Sequence, residues 1–128
     1  MLNKSGITKS TFVNVNQILA NVELQASVGC VVKSTDGVAV GSKKIVKAGT
    51  PIKVDLSNLT TPATKADGTT ALNAVVLHDV DVTSGNANAT ALIFGFVNLN
   101  RVESDVKSLI TAAAAAEGAS PLITFLTV

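Results

Sequence analysis

The sequence predicts an α+β fold that is mainly β: a compact domain of six to eight short strands, with one C-terminal helix and an N-terminal arm. Three observations support this prediction. Apolar and β-branched residues recur at period two along several short segments, turn residues separate those segments, and one stretch near the C-terminus has helical periodicity. At 128 residues the chain has the usual size of a single domain.

The beginning of the chain differs in composition from the rest. We expect residues 1–27 to form the arm and residues 28–128 to form one β-rich domain. Met1 to Ser10 is polar and lacks apolar periodicity, which favours disorder in the free protein. Thr11 to Leu24 fits a strand and a helix about equally well. Its apolar residues suit an arm that packs on another subunit, or an edge strand of the domain's own sheet.

Short strands with turns between them are predicted for the first half of the domain. Val28 to Lys33 is an apolar strand, and the Asp36-Gly37 pair after it favours a hairpin that returns from Val38 to Gly41. Ile52, Val54 and Leu56 then alternate with polar residues, which predicts another strand. Leu59 to Thr70 is rich in Thr, Pro, Ala and Gly and is interpreted as a connecting loop.

The stretch from Lys65 to Val102 has the clearest strand pattern. Ala74 to Thr83 is predicted as one strand, followed by a loop over Ser84 to Thr90 and a buried strand over Ala91 to Leu99. One face of the first strand would carry Val76, His78, Val80 and Val82, and the other face Val75, Leu77, Asp79 and Asp81. Phe94 and Phe96 are two apart in the second strand and are interpreted as core residues.

Helical spacing replaces period two after this strand. Apolar residues fall on one helix face at Val102, Val106, Leu109, Ile110 and Ala113. Asn100 is placed as an N-cap with Glu103 as its capping-box partner, and Gly118 is placed at the C-terminal stop. A helix over about 101–117 is therefore predicted, with a final short strand over Leu122 to Leu126.

Charge and composition exclude several classes of function. The formal net charge is +1, and the basic residues are scattered with few aromatics, so no nucleic-acid partner is expected. The chain has no apolar run long enough to span a bilayer and no secretory h-region, so no membrane partner is expected and assembly in a cytoplasm is the default. Charged residues make up only 15%, which favours a subunit that hides surface against neighbours.

Few residues are candidates for chemistry. Cys30 and His78 are the natural nucleophile and base, but a lone cysteine in an apolar strand usually packs as a small hydrophobe. Asp79 and Asp81 would project from the same face of a strand, where paired carboxylates sometimes hold a metal. An acidic edge that faces solvent or a partner is the preferred interpretation. We therefore expect no enzyme, and no catalytic, metal or cofactor site and no small-molecule substrate.

Part of the chain resembles a known family. The segment GTPIK at Gly49 to Lys53, the segment VLHDVDVT ending at Thr83, and ALIFGFVNLNRV ending at Val102 resemble head decoration proteins of tailed bacteriophages, the group typified by the decoration protein of phage lambda. The resemblance implies a structural virion protein on the outer capsid surface, where it binds the major capsid protein, often as a trimer, and stabilises the mature shell. Its motifs are not catalytic signatures.

In such families an N-terminal segment often orders on the capsid by adding a strand to an exposed edge. The expected capsid-binding residues here lie in the arm and are Lys4, Ile7, Phe12, Val13, Val15 and Ile18. Two alternatives remain open. One is another virion role, such as a head-fibre anchor or a tail-tube protein. The other, less favoured, is a small metal-binding or enzymatic module that uses His78, Asp79 and Asp81.

Overall fold

The computed structural model describes residues 18, 19 and 25–127 of the chain. This part contains nine strands in two sheets and one helix, which confirms the predicted mainly β fold with a C-terminal helix. The helix α1 is Ser104–Ala115. The strands are β1 (Ala26–Val32), β2 (Val38–Val40), β3 (Lys43–Val46), β4 (Pro51–Lys53), β5 (Thr64–Lys65), β6 (Ala74–Val76), β7 (Val80–Asp81), β8 (Ala87–Asn98) and β9 (Ile123–Leu126).

The larger sheet is built around β8, the longest strand. Its order is β1-β8-β6-β4-β5 with antiparallel pairing, and β9 adds to the C-terminal half of β8 in parallel. The sheet curls so that its two ends approach each other. The N–H of Ala63, just before β5, donates to the carbonyl of Val31 in β1 at 2.8 Å. The two ends of the strand order therefore meet at this point.

One face of the larger sheet packs against α1. The helix buries the stripe that the sequence predicts, with Val106, Ile110 and Ala113 facing inward. The resulting sheet–helix cluster of buried residues consists of Ile18, Leu19, Ala48, Ala66, Leu72, Val75, Leu77, Leu92, Val97, Val102, Val106, Ile110, Ala113 and Ile123.

The smaller sheet, in the order β2-β3-β7, covers the other face. Between the two sheets lies a second core, the inter-sheet cluster, made of Cys30, Val32, Val46, Ile52, Val54, Ala63, Ala74, Val76, Val82 and Ala91. Adjacent residues of β6 point into different clusters, Val75 into the first and Val76 into the second. The larger sheet is thus a middle layer that is apolar on both faces.

The strand predicted over Ala74 to Thr83 is two strands. β6 pairs with β4 and β8, whereas β7 pairs with β3 in the smaller sheet. The predicted alternation nevertheless holds in part, because Val76 and Val82 both lie in the inter-sheet cluster. His78 lies between the strands and is exposed, so the prediction of one continuous strand through it is wrong.

A β-bulge in β8 changes which side chains face the core. Ala26 pairs with Phe94 but Ser27 pairs with Leu92, so β8 carries an extra residue at this point. As a result Leu92 and Val97, five residues apart, both join the sheet–helix cluster. Phe94 is 40% exposed, so its predicted place in the core is wrong. The predicted loop before β8 is also too long, since β8 begins at Ala87.

Several other boundaries differ from the prediction. The Asp36-Gly37 turn does not form a hairpin, because β1 pairs with β8 while β2 pairs with β3. β4 ends at Lys53, and Leu56 beyond it is 57% exposed. The predicted loop over Leu59 to Thr70 contains the short strand β5.

The ends of the helix also differ in detail. Its N-cap is Glu103, without a side-chain cap, and not Asn100. Asn100 lies in a 3-10 turn (Leu99–Arg101), where its N–H donates to Asn98 Oδ1. Among the described residues no helix is long and apolar enough to cross a bilayer.

Candidate functional site

The described residues include one predicted capsid-binding residue, Ile18. Its side chain is fully buried in the sheet–helix cluster, and its carbonyl accepts from the N–H of Asn98 at 2.7 Å. Leu19 beside it forms an antiparallel bridge with Val97. The prediction of Ile18 as a capsid contact is therefore corrected: here it is a core residue. At these two residues the chain joins its own sheet, as the alternative interpretation had it.

The remaining predicted capsid-binding residues, Lys4, Ile7, Phe12, Val13 and Val15, lie outside the described residues. So does most of the predicted arm, residues 1–27. Its described residues belong in part to the folded domain, because Ile18 and Leu19 are in the core and β1 already begins at Ala26.

Cys30 and His78 occupy different environments. Cys30 lies in β1 with its side chain in the inter-sheet cluster, and burial raises the pKa of its thiol. A raised pKa keeps the thiol protonated and a poor nucleophile at neutral pH. His78 is exposed at the bend between β6 and β7. No hydrogen bond joins the two side chains in the described part of the chain, so the geometry gives no Cys-His pair.

Asp79 and Asp81 do not share a strand face. Asp79 precedes β7 and its Oδ1 accepts from the N–H of Ala48 at 2.7 Å, which ties the β3–β4 connection to the β6–β7 link. Asp81 lies in β7, where its Oδ1 accepts from the N–H and Oγ1 of Thr83 at 2.9 and 2.6 Å. These hydrogen bonds from Thr83 lower the pKa of Asp81. Each carboxylate therefore accepts a backbone N–H, and the prediction that the two project from the same face of one strand is wrong. Both residues are exposed.

A third set of charges, which the sequence did not single out, surrounds Lys47. Its Nζ lies 3.1 Å from Glu103 Oε1 and 3.0 Å from Asp105 Oδ2, and only 14% of its side chain is exposed. The hydrogen bond to Asp105 raises the pKa of Lys47, and the same bond lowers the pKa of Asp105. We call these three residues the Lys47 clasp. The clasp fixes the β3–β4 connection to the N-terminal end of α1.

Exposed apolar side chains mark one surface of the larger sheet. Phe94 is 40% exposed and Leu122 is 55% exposed. The two belong to neighbouring segments, because the N–H of Gly95 donates to the carbonyl of Leu122. Phe96 in the same strand is half-buried. Exposed apolar side chains on neighbouring segments are a candidate surface for binding another polypeptide. We call Phe94 and Leu122 the Phe94 patch.

The outer edge of β1 is a second candidate binding surface. Within the described residues β1 pairs only with β8, and its other edge receives one backbone hydrogen bond, from Ala63 to Val31. It is the longest edge strand in the described part, with seven residues and no charged side chain. Such edges can add a strand from another chain.

No protein-family model matches this chain, and a search of curated proteins finds no significant match. Among the described residues no group of three or more His, Cys, Asp or Glu side chains is placed to hold a metal ion. The described residues offer two candidate contact surfaces, the Phe94 patch and the edge of β1.

Proposed function

We propose that this protein is a structural virion component that binds the outer surface of a mature tailed-phage capsid and stabilises it. The sequence resemblance over Gly49 to Val102 supports the phage assignment. The structural observation that carries the binding role is the Phe94 patch, where two large apolar side chains lie exposed on neighbouring segments. Its partners would be the major capsid protein and further copies of this chain.

The stabilisation follows from mass action. A ligand that binds only the expanded lattice lowers the free energy of that lattice by an amount that grows with its concentration over Kd. A shell offers many equivalent positions, so small contributions at each position add up. The N-terminal segment before Ile18 is proposed to add a strand to an exposed edge of the capsid protein.

Co-sedimentation with undecorated, expanded heads tests the proposal. Wild-type protein should sediment with expanded heads at a saturating ratio and should not sediment with unexpanded heads. Phe94→Ala should weaken binding, because it removes most of an exposed aromatic side chain from the patch. Leu56→Ala is the matched control, since Leu56 is 57% exposed but lies on the segment after β4. Equal binding to both kinds of head, or to neither, would contradict the proposal.

The structure sharpens the test of the N-terminal segment. A truncation that begins at Ile18 keeps both buried residues, Ile18 and Leu19, whereas removal of the whole predicted arm would delete part of the core. The chain 18–128 should keep the unfolding profile of the full chain and lose affinity for heads. Unchanged occupancy by this truncated chain would refute the role of the segment.

A further inference from the structure

The outward backbone groups of β1 define where another strand can pair. In an antiparallel strand the N–H and C=O of one residue point to the same side, and residues two apart repeat that direction. The carbonyl of Val31 points away from β8, because it accepts from Ala63. The backbone groups of Gly29 and Ser27 therefore point outward as well. Within the described residues nothing hydrogen-bonds to them, and both residues are exposed.

A groove runs along the same edge. It has a volume of about 360 Å³ and is lined by Gly29, Cys30 and Val31 of β1, by Leu59 and Thr60, and by β8. None of the described residues that line it is charged. Val28, which neighbours it in β1, packs against the inter-sheet cluster. Side chains of an added strand that point to the same face as Val28 would lie beside this apolar surface.

We propose that this edge is a self-association site at which β1 of a second copy pairs antiparallel with β1. In this pairing Ser27 of each copy lies opposite Gly29 of the other. Ser27 and Gly29 each carry one outward backbone donor and one outward acceptor, so two copies related by a twofold axis satisfy one another. The hydrogen bond from Ala63 closes the edge at Val31 and sets this register.

Two properties of the edge favour a second copy as its occupant: its two outward residues, Ser27 and Gly29, pair with each other about a twofold axis, and the strand carries no charge. Every residue of β1 is uncharged, as are the described residues that line the groove. Two identical copies can therefore approach without the like-charge repulsion that usually protects edge strands. The same neutrality gives a charged partner segment nothing to pair with. This pairing does not depend on the proposed capsid role, and it forms dimers, whereas the resemblance implies trimers.

Sedimentation equilibrium of the full chain tests the proposal. The wild-type mass should rise with concentration from one copy to two, while hydrogen exchange at Ser27 and Gly29 slows. Gly29→Pro removes one edge donor from each copy and should raise the dimer Kd about tenfold. Gly29→Ala keeps the donor, and a Cβ there meets nothing within 4 Å, so it should dimerise like the wild type.

Two charge variants provide a second test that does not depend on the folding of the proline variant. Ser27→Asp and Ser27→Lys should each stay monomeric alone, because like charges then meet diagonally across the two strands. An equimolar mixture of the two should regain the dimer. A wild-type mass of one copy at every concentration, a mass of three copies, or a dimer that neither charge variant weakens would overturn the proposal.

Discussion

At the residue scale, Lys47 joins separate parts of the fold. Its ammonium group bridges Glu103 and Asp105, each about half-exposed, while its own side chain is mostly covered. Lys47→Met keeps the alkyl stem but removes both ion pairs, so we expect the free energy of unfolding to fall by about 1 kcal/mol. Chemical denaturation measures this. Lys43→Met is the control, because Lys43 is 66% exposed and 4.0 Å from Asp81, and should stay within about 0.5 kcal/mol of wild type.

The same clasp should give a defined pH dependence. The pKa of Asp105 is lowered in the fold, so its contribution is present above the unfolded pKa, about 4, and is lost as pH falls through the folded pKa. The pKa of Lys47 is raised, so its contribution persists until pH rises past about 10.

The stability difference between wild type and Lys47→Met should therefore be constant near neutral pH and shrink below pH of about 4. Denaturant titrations at a series of pH values measure that difference. Asp67 and Asp81 also have lowered pKa values, but they are common to both proteins and cancel. A difference that grows as pH falls would contradict the assigned ion pairs.

Gly49 is a backbone position where a side chain should not be tolerated. Its φ is 93°, and an added Cβ would lie 3.0 and 3.1 Å from the Cγ atoms of Val102. Gly49→Ala should cost about 2 to 3 kcal/mol through strain and crowding. Gly41 has φ of 62° but open space, so Gly41→Ala should cost only about 1 kcal/mol. Thermal unfolding of both variants separates the two effects, and equal costs would contradict the Val102 contact.

At the element scale, Ile18 and Leu19 attach the start of the described chain to β8. Ile18→Ala should lower the free energy of unfolding by about 2 to 5 kcal/mol, because the side chain is fully buried. Leu56→Ala, at a residue 57% exposed, should change it by less than about 1 kcal/mol. Denaturant unfolding of both variants measures the contrast. A small effect at Ile18 would mean that this residue does not belong to the core in solution.

The sequence predicted the secondary-structure elements better than it predicted which strands pair with each other. Helical spacing placed α1 correctly because Val106, Ile110 and Ala113 report one buried face. The alternation from Val76 to Val82 could not reveal the change of sheet, since both residues pack in the same inter-sheet cluster. A period-two pattern reports which face of a strand is buried but not which strand it pairs with. One continuous strand and two strands in different sheets therefore give the same pattern.

The sequence analysis did not predict the Phe94 patch, the Lys47 clasp or the edge of β1, for similar reasons. Phe94 was predicted in the core because it is a large aromatic residue in an apolar strand. The one indication of a bulge in the sequence is the neighbouring Gly95, a glycine inside that strand. Lys47 lies 56 residues before Glu103 and 58 before Asp105 in the sequence, and charge patterns predict ion pairs only between residues a few positions apart. That β1 lies at the edge of its sheet follows from topology alone, because the order of strands is a property of the whole chain.

At the scale of the whole molecule, the sheets and the helix form a small three-layer body, with candidate contact surfaces at the Phe94 patch and along the edge of β1. In the proposed capsid role, many identical copies would each add a small binding free energy to a shared shell. The capsid proposal therefore predicts that purified protein raises the temperature at which expanded heads release DNA, up to a saturating ratio. Release at an unchanged temperature despite binding would refute stabilisation.

The measurement that tests the capsid proposal most directly is cryo-electron microscopy of undecorated, expanded heads mixed with the purified chain. The proposal predicts saturable density at the local threefold positions, with the Phe94 patch facing a neighbour and the segment before Ile18 ordered on the shell. Heads whose threefold positions stay empty at saturating protein would contradict it.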